Sequence, residues 1–496
     1  MNRYHGPSVV FSSWLAVFCL FGYRATFAIL KGPMGISLGW SSASVTLGYS
    51  VMMLVYALTA YLSGLILDRF GTRPVYGIAA LLGGLGFGLT SRVDAHLAYI
   101  VSFGLLGGVA TGMLWVSSTV SVRKWYVGKT YASMWGLAFS GAPMAQFLLA
   151  QLLGPRLGAA QARLDTAVAA LLDTAGKASD GAAVSAALFN TTVRADPGIA
   201  PALAFLDAAW RSQMLVLGII VGATLAVAMV FARRSPDSYG MEPFGNFIPN
   251  ASLDTTPADS SDATPSDGST STMGTEIPDS EHEWSIREAF SRYAIWGAIL
   301  VFLSSMMAEF LVWTQVVSFW TGDMGYSLAE AASVYALIGL VGIFSMPLMG
   351  RLADWLVQQV GNEPLGRKLM LVAGPVGGTL ACVLLLGSAN RFLAYAACVV
   401  FALYWAVVPG GVVGYVGALY GRRTLGRIWG LATLIVMGIG PFLGTFIGGY
   451  LRDSSGSYRY SMIFALGSFI LSAVLATTLP RSLQADTFGC PVVHRP

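Results

Sequence analysis

Two ionisable residues, Arg24 and Glu309, stand inside long apolar stretches of the sequence. Charges at membrane depth are costly and usually mark a substrate or proton path. A guanidinium can hold a carboxylate through two parallel hydrogen bonds, so we predict that Arg24 binds an anionic substrate. Glu309 is then a candidate proton carrier, or a competitor for Arg24. The alternative interpretation is a buried structural ion pair, or an Arg24 that extends to the membrane interface near Lys31.

Aromatic side chains occur at similar depths in the same apolar stretches. They are candidates to line a central cavity, although Trp and Tyr are also enriched at membrane interfaces. The candidates are Tyr23, Trp115, Trp313, Tyr404 and Trp405. Of these we predict that Tyr23, Trp313 and Tyr404 bind substrate together with Arg24. Lys31 ends the first apolar stretch, and we expect it at the mouth of the protein.

Composition sets the class of protein that must position these groups. Of the 496 residues, 55% are hydrophobic and only 11% are charged, against about 25% charged in soluble proteins. Most of the surface must therefore face lipid. The net charge of +4 does not indicate a nucleic-acid partner. The sequence shows no metal-ligand spacing, phosphate-binding loop or nucleophile triad, so we expect no cofactor, no metal and no enzymatic activity.

Apolar runs of about 20 residues predict membrane-spanning helices. We predict twelve spans, at 9–30, 44–66, 75–91, 97–120, 131–153, 213–232, 293–320, 329–349, 368–387, 392–418, 427–449 and 459–479. With the N-terminus inside, eighteen Lys and Arg residues lie in the inner loops and tails and five in the short outer loops. The positive-inside rule then predicts that both termini are cytoplasmic. We expect a multi-pass protein of the cell (plasma or inner) membrane.

The sequence contains two related halves. The segment from Gly64 to Arg73 has the pattern G-x-x-x-D-R-x-G-x-R, and Gly350 to Asp354 repeats its start at an offset of 286 (350 − 64) in the numbering. At the same offset the triplet 39–41 (GWS) matches 325–327 (GYS). The chain is therefore predicted to contain two six-helix copies in the same orientation.

This pattern resembles the major facilitator superfamily, in which two parallel six-helix repeats are joined by a long inner loop. The resemblance implies an all-α membrane fold and an inner gate built on the motif between the second and third spans. The residues it assigns to that gate are Gly64, Asp68, Arg69, Gly71, Arg73 and Asp354. In the second copy Trp355 replaces the arginine, so we expect a weaker charge network there.

Two polar segments divide this plan into parts. We predict a six-helix bundle at 1–233 with an outer loop at 155–211 that packs as a small helical cap. A Ser-, Thr- and Asp-rich cytoplasmic linker, predicted to be disordered, follows at 234–285. The second bundle covers 286–480 and a cytoplasmic tail covers 481–496.

Within the superfamily the chain resembles the monocarboxylate transporters and the oxalate/formate antiporters. The similarity lies in 21–50, in 123–141 and in the stretch EWSIREAF from Glu283. It places Arg24 where monocarboxylate transporters carry a substrate-binding lysine. Their eighth helix carries an acid and an arginine, where this chain has Gly342 and Met346. The second binding charge is thus absent from its usual place.

Three functions follow from these residues. The first is secondary transport of a small organic anion, with a carboxylate favoured, by alternating access with proton symport or anion exchange. The second is export of drugs or neutral solutes on the same fold, with Arg24 paired to Glu309 as a lock. The third is a non-transporting sensor whose outer loop or linker binds a partner. The expected partners are a small anionic solute, the lipid bilayer and protons.

Overall fold

The computed structural model describes residues 4–126, 129–176, 184, 187–188, 190–244, 284–420 and 425–481. These residues are almost entirely helical, and a single bridge between Tyr126 and Phe244 is their only β-type pairing. The all-α prediction is confirmed. Ten helices of the described chain are long and apolar enough to cross a membrane.

The first half contains six long helices. Their bounds are α1 Gly6–Leu38, α2 Ser42–Phe70, α3 Thr72–Thr90, α4 Gly107–Trp125, α5 Gly141–Thr174 and α6 Ala200–Phe231. The helix His96–Tyr99 and a π-helical turn, Ile100–Leu106, lead into α4, and the helix Lys129–Phe139 leads into α5.

The second half repeats this order after the short helix Ile286–Phe290. Its long helices are α7 Tyr293–Asp323, α8 Leu328–Val360, α9 Glu363–Leu386, α10 Arg391–Tyr420, α11 Leu425–Ser455 and α12 Arg459–Thr478. Each predicted span overlaps one of these helices. Two of them, α3 and α10, do not meet the length and hydropathy criteria over their described residues, so the number of spans stays a prediction.

The turns before α2 and α8 show the repeat at atomic level. Gly39 and Gly325, which the sequence repeat pairs, have φ angles of 70° and 74°, which glycine adopts without steric cost. Two positions later, Ser41 and Ser327 each accept a hydrogen bond from a backbone N–H, that of Ser44 and that of Glu330. In each half, therefore, a glycine turn follows the first long helix and a serine N-cap begins the second.

The predicted outer loop is largely helical. Helix α5 continues through Pro155 to Thr174, well past position 153, where the predicted span ends. Its far end packs with the start of α6 around a separate apolar cluster, which includes Leu164, Val168 and Leu206. The start of the predicted linker is also ordered, because the backbone N–H of Phe244 donates to the Trp125 carbonyl at 2.9 Å. Residues 245–283 lie outside the described residues.

The two halves contact each other mainly through α2 with α11 and α5 with α8. We call the side on which α1 begins the terminus side, and the side on which α1 ends the distal side. Several hydrogen bonds between described residues join the halves in the distal part or near mid-depth. With the donor given first, they are Lys31–Gln315, Ser42–Asp453, Ala43–Asp453, Gln146–Tyr335 and Tyr458–Ser42. In a further pair, Ser50–Thr445, either hydroxyl can be the donor.

Candidate functional site

Arg24 and Glu309 lie at the same depth in the two halves. They are equally far along the chain from the distal ends of their helices, because 38 − 24 for α1 equals 323 − 309 for α7. At 1.5 Å per residue each is about 21 Å from that end. Both side chains are buried, with 4% of each residue exposed. The repeat therefore positions one cation and one acid near the middle of the interface.

Three aromatic rings surround the Arg24 guanidinium. Its Cζ atom lies 5.1 Å from the ring centre of Phe21, 4.5 Å from that of Tyr56 and 5.7 Å from that of Phe310. Phe21 and Tyr56 belong to the first half, whereas Phe310 belongs to α7 of the second. The negative ring faces stabilise a cation without neutralising it. Arg24 thus lies at the contact between the halves.

The hydrogen-bonding capacity of Arg24 is incompletely used. Among the described residues, its Nε and Nη2 atoms have no hydrogen-bond partner. Buried polar groups normally have partners, and an exception calls for an explanation such as a bound ligand or water. Nε and one Nη atom form the edge of the guanidinium that can bind both oxygens of a carboxylate. Arg24 therefore presents an unused, charged fork at mid-depth.

Glu309 does not form an ion pair with Arg24. The guanidinium acts electrostatically on the carboxylate, but the ion pairs seen among described residues join other groups, for example Arg211 with Asp94 and Arg391 with Glu330. The Tyr404 hydroxyl instead donates to Glu309 Oε2 at 2.9 Å. The structural-lock interpretation of these two charges is thus not favoured in this conformation.

Trp313 lies one helical turn beyond Glu309 and is 7% exposed. Its ring centre is 5.0 Å from that of Trp405 and 5.9 Å from that of Tyr335. Among the described residues, neither Trp313 Nε1 nor the Tyr335 hydroxyl has a hydrogen-bond partner. Gln146 Nε2 donates to the Tyr335 carbonyl at 3.2 Å, and its Oε1 is also unpartnered within the described chain. Unused polar atoms from both halves therefore lie around Tyr335 and Trp313.

The aromatic residues predicted at this depth divide into three groups. Trp313 and Tyr404 are at the site, and Tyr404 contacts Glu309 directly. Trp115 and Trp405 connect to it through Phe21, whose ring centre is 6.4 Å and 6.0 Å from theirs. The side chain of Tyr23 lies outside the described residues.

Sequence reasoning missed the three rings on Arg24. Phe21 precedes Arg24 by three positions and Phe310 follows Glu309 directly, so helical spacing was an available signal for Phe21. Tyr56 comes from α2, and its contact depends on how α1 and α2 pack. The apolar pattern does not specify that packing.

Lys31 does not lie at a water-filled mouth, which is where the sequence predicted it. It is 2% exposed and its Nζ donates to Gln315 Oε1 of α7. The ring of Tyr458 lies 4.6 Å from Nζ. The second half covers the distal end of α1. Lys31 is therefore surrounded by protein side chains, whereas the sequence predicted that it would be exposed to water.

The predicted gate residues contact only their own half in this conformation, as far as the described residues show. Arg69 is exposed and stacks near Phe70, with Cζ 5.2 Å from the ring centre. Arg73 Nε donates to the Ala232 carbonyl at 3.0 Å, and Gly71 has a φ of 83° beside Arg234. The side chains of Asp68 and Asp354 and the surroundings of Gly64 lie outside the described residues. The gate assignment stays a prediction.

The described residues contain no group of three or more His, Cys, Asp and Glu side chains that is arranged to hold a metal ion.

Solved transporter structures have the same fold. A bacterial homologue of the human lysosomal transporter Spinster, in an inward-facing and occupied conformation, matches with a TM-score of 0.64 and 13% identity, covering 99% of this chain and 100% of that one. The nucleoside transporter NupG matches with a TM-score of 0.58 and 14% identity over 96% and 99% of the two chains. The D-xylose-proton symporter gives 0.58 and 13% over 96% and 98%.

Two sequence relatives come from Escherichia coli strain K12. The inner membrane transport protein RhmT is 28% identical over 138 residues, which is 27% of this chain and 31% of RhmT. The uncharacterized MFS-type transporter YhjX is 27% identical over 101 residues, 20% of this chain and 25% of YhjX. The alignments thus span less than a third of either relative.

The sequence profile of the Major Facilitator Superfamily matches residues 13–444, which include most of both helical halves. Together with the matching folds, this identifies a multi-pass membrane transporter and not an enzyme. The chain belongs to the Major Facilitator Superfamily.

Proposed function

We propose that this transporter moves a small organic anion, with a carboxylate as the favoured substrate, by alternating access. The observation that carries the proposal is the buried Arg24, whose Nε and Nη2 atoms have no described partner. A buried cation without a bound anion is costly, so the site gains free energy when a carboxylate binds. The neighbouring acid does not provide that compensation, because it forms no ion pair with Arg24 within the described chain.

Alternating access follows from the position of the site. It lies between the halves, which are joined by hydrogen bonds on the distal part and near mid-depth. When the halves rock about the site, the distal contacts break and the terminus side closes. We place the termini in the cytoplasm because eighteen basic residues lie on that side, so this conformation faces inward.

Glu309 is the proposed proton carrier. It lies at the depth of Arg24 and is held by the Tyr404 hydroxyl at 2.9 Å. A protonated Glu309 would leave Arg24 free for the substrate anion, whereas an ionised Glu309 would compete for it. Proton binding and anion binding are then coupled, which is the requirement for symport.

The resemblance to the monocarboxylate and oxalate/formate branch supports an anion as substrate. An acid at the position that this branch uses would be crowded here, since a Cβ atom on Gly342 would lie 2.9 Å from Pro143 Cβ and 3.2 Å from Trp405 Cζ3. Trp405 fills the space an acidic side chain would need. We therefore assign the proton-carrying role to Glu309 on α7 and not to α8.

Uptake into proteoliposomes tests the proposal. We expect Arg24→Gln to lower the kcat/KM for carboxylate uptake at least 30-fold, because losing one partner of a buried charge pair costs about 2–5 kcal/mol. Arg24→Lys should retain part of the activity, since it keeps the charge and loses the fork. Arg452→Gln is the control, because Arg452 stacks on Tyr458 at the distal end. Carboxylate uptake that survives Arg24→Gln would refute the anion site.

Glu309→Gln tests the coupling separately. The amide can still accept from Tyr404 but cannot take up a proton. We expect transport driven by a pH gradient to disappear while exchange of anion for anion remains. A gradient response unchanged from the wild type would remove Glu309 from the mechanism. Efflux of neutral compounds in the absence of any carboxylate flux would favour the exporter, and no flux of any solute would favour the sensor.

A further inference from the structure

The wall around Arg24 consists of aromatic rings contributed by both halves. Phe21 and Phe310 contact the guanidinium from opposite halves. Phe21 also lies 6.0 Å from Trp405, and Trp405 lies 5.0 Å from Trp313. The charged fork therefore opens among rings on α1, α7 and α10.

The rings continue along the terminus side of the first half. Phe139 is 5.5 Å from Phe21 at an interplanar angle of 84°, and Trp135 is 6.1 Å from Trp115 at 77°. Phe21, Trp115, Trp135 and Phe139 are each partly exposed. Because this group touches Trp405 of the second half through Phe21, it lies where the halves meet.

We propose that the substrate is a monocarboxylate with an aromatic body, an arylcarboxylate or arylalkylcarboxylate, whose ring packs among Phe21, Phe310 and Trp405 while its carboxylate binds Arg24. This inference rests on the proposed anion transport and specifies its substrate class. Edge-to-face and offset contacts favour an aromatic body over an aliphatic one of equal size.

The charge count at the site favours one carboxylate. Lys31 is the next cation along α1, two helical turns or about 10 Å further, and it already donates to Gln315. A second carboxylate would lie among rings without a cation, and an unpaired buried charge is strongly disfavoured. Di- and tricarboxylates are therefore poor substrates.

The polar groups at the site are too few for a polyhydroxylated solute. Apart from Arg24, the unused donors among the described site residues are Trp313 Nε1 and the Tyr335 hydroxyl. A sugar acid would place several hydroxyl groups against rings and lose their hydrogen bonds to water. The two donors suit a single polar ring substituent.

Competition on the reconstituted wild-type protein is the first test. The probes are phenylacetate, cyclohexylacetate, lactate and oxalate at equal concentration. We expect kcat/KM for phenylacetate to exceed that for lactate and oxalate at least tenfold, and that for cyclohexylacetate at least threefold. Uptake that depends on Arg24 but prefers lactate or oxalate would overturn the aromatic class and leave the anion transporter intact. Uptake that survives Arg24→Gln would instead refute the proposed function.

Substitution of Trp405 is the second test. We expect Trp405→Leu to lower kcat/KM for phenylacetate about tenfold and that for lactate less than twofold. Trp405→Phe should restore most of the aromatic preference. Trp296→Leu is the matched control, because Trp296 lies at the terminus end of α7 and is 43% exposed. An equal loss for both probes in folded Trp405→Leu protein, or an unchanged preference, would contradict the assignment. If Trp405→Leu does not fold, the competition among the four probes on the wild-type protein still tests the aromatic substrate class.

Discussion

The distal and terminus-side parts of the interface between the halves are built differently. On the distal side the α2 N-terminus binds a carboxylate from the other half, since Asp453 accepts from the backbone N–H groups of Ser42 and Ala43 at 3.0 and 2.7 Å. The Ser50 and Thr445 hydroxyls pair nearby. On the terminus side, the described residues Arg69 and Arg73 interact within their own half.

Under the proposed alternating access, this difference lets one sequence adopt two conformations. The distal contacts between the halves include backbone N–H groups and the small side chains of Ser50 and Thr445. Such groups bond only when the two halves approach closely, so these bonds break together when the halves separate. The terminus-side motif instead carries the exposed charge of Arg69 at a helix end, and we propose that this charge pairs with the other half when the terminus side closes. For such a transporter to alternate, the conformation closed on the distal side and the one closed on the terminus side must have similar free energies. The two sets of contacts are therefore expected to oppose each other.

Gly449→Val should give the largest change in this balance. A Cβ atom at Gly449 would lie 2.2 Å from Thr46 Oγ1, 2.9 Å from Ala43 Cα and 3.0 Å from the Ser42 carbonyl oxygen. The backbone atoms cannot rotate away, so the distal side cannot close. We expect uptake to fall more than tenfold. A Ser50→Cys probe, in a background without native cysteines, should react with a membrane-impermeant maleimide at least tenfold faster.

Gly444→Val is the matched control for that prediction. Its Cβ would lie 2.1 Å from the carbonyl oxygen of Met307, which belongs to the same half. This variant should lower the yield of folded protein without changing the reactivity of the Ser50→Cys probe. Slow probe labelling in folded Gly449→Val protein would show that the distal contacts do not determine closure.

Asp453→Asn should have an intermediate effect. The amide keeps the size of the side chain and one acceptor but loses the charge at the α2 N-terminus, an interaction worth about 0.3–1 kcal/mol. We expect the Ser50→Cys probe to react about two- to fivefold faster. Asp323→Asn serves as the control, because Asp323 accepts from the Arg459 N–H at 3.0 Å within the second half. Equal acceleration by both variants would assign the effect to general destabilisation.

Much of the fold was predictable because it depends on local patterns. Apolar runs of membrane length located the helices, and the repeat between the halves paired turns that proved to share a glycine stop and a serine cap. A helical cap was predicted at 155–211, but not the unbroken continuation of α5 into it, because positions 154–174 mix apolar and polar side chains on a helix that packs on its own small cluster. That helix does not need the continuous apolar run that reveals a span.

The sequence identified the two charged residues of the candidate site and the aromatic residues Trp313 and Tyr404, but not how these side chains contact each other. Arg24 and Glu309 stand out because a charge within an apolar run is costly and usually marks a functional site. Their functional roles stay predictions. Their neighbours depend on tertiary packing, since Tyr404 reaches Glu309 from 95 positions away in the sequence. The burial of Lys31 likewise depends on α7 and on the turn before α12, which cover it from the other half.

Arg69→Ala should give the smallest change, in the opposite direction. Arg69 is exposed and has no described contact with the second half in this conformation, so its loss should alter the free energy of unfolding by less than about 0.5 kcal/mol. If the motif closes the terminus side, the same substitution weakens the other conformation only. We therefore expect the Ser50→Cys probe to react about twofold more slowly. Arg73→Ala provides the contrast in stability, because it also removes the hydrogen bond to the Ala232 carbonyl within the first half and should lower the thermal midpoint, which Arg69→Ala should leave nearly unchanged. Faster labelling in Arg69→Ala would mean that this arginine supports distal closure, and the opposition between the two sides would then be wrong.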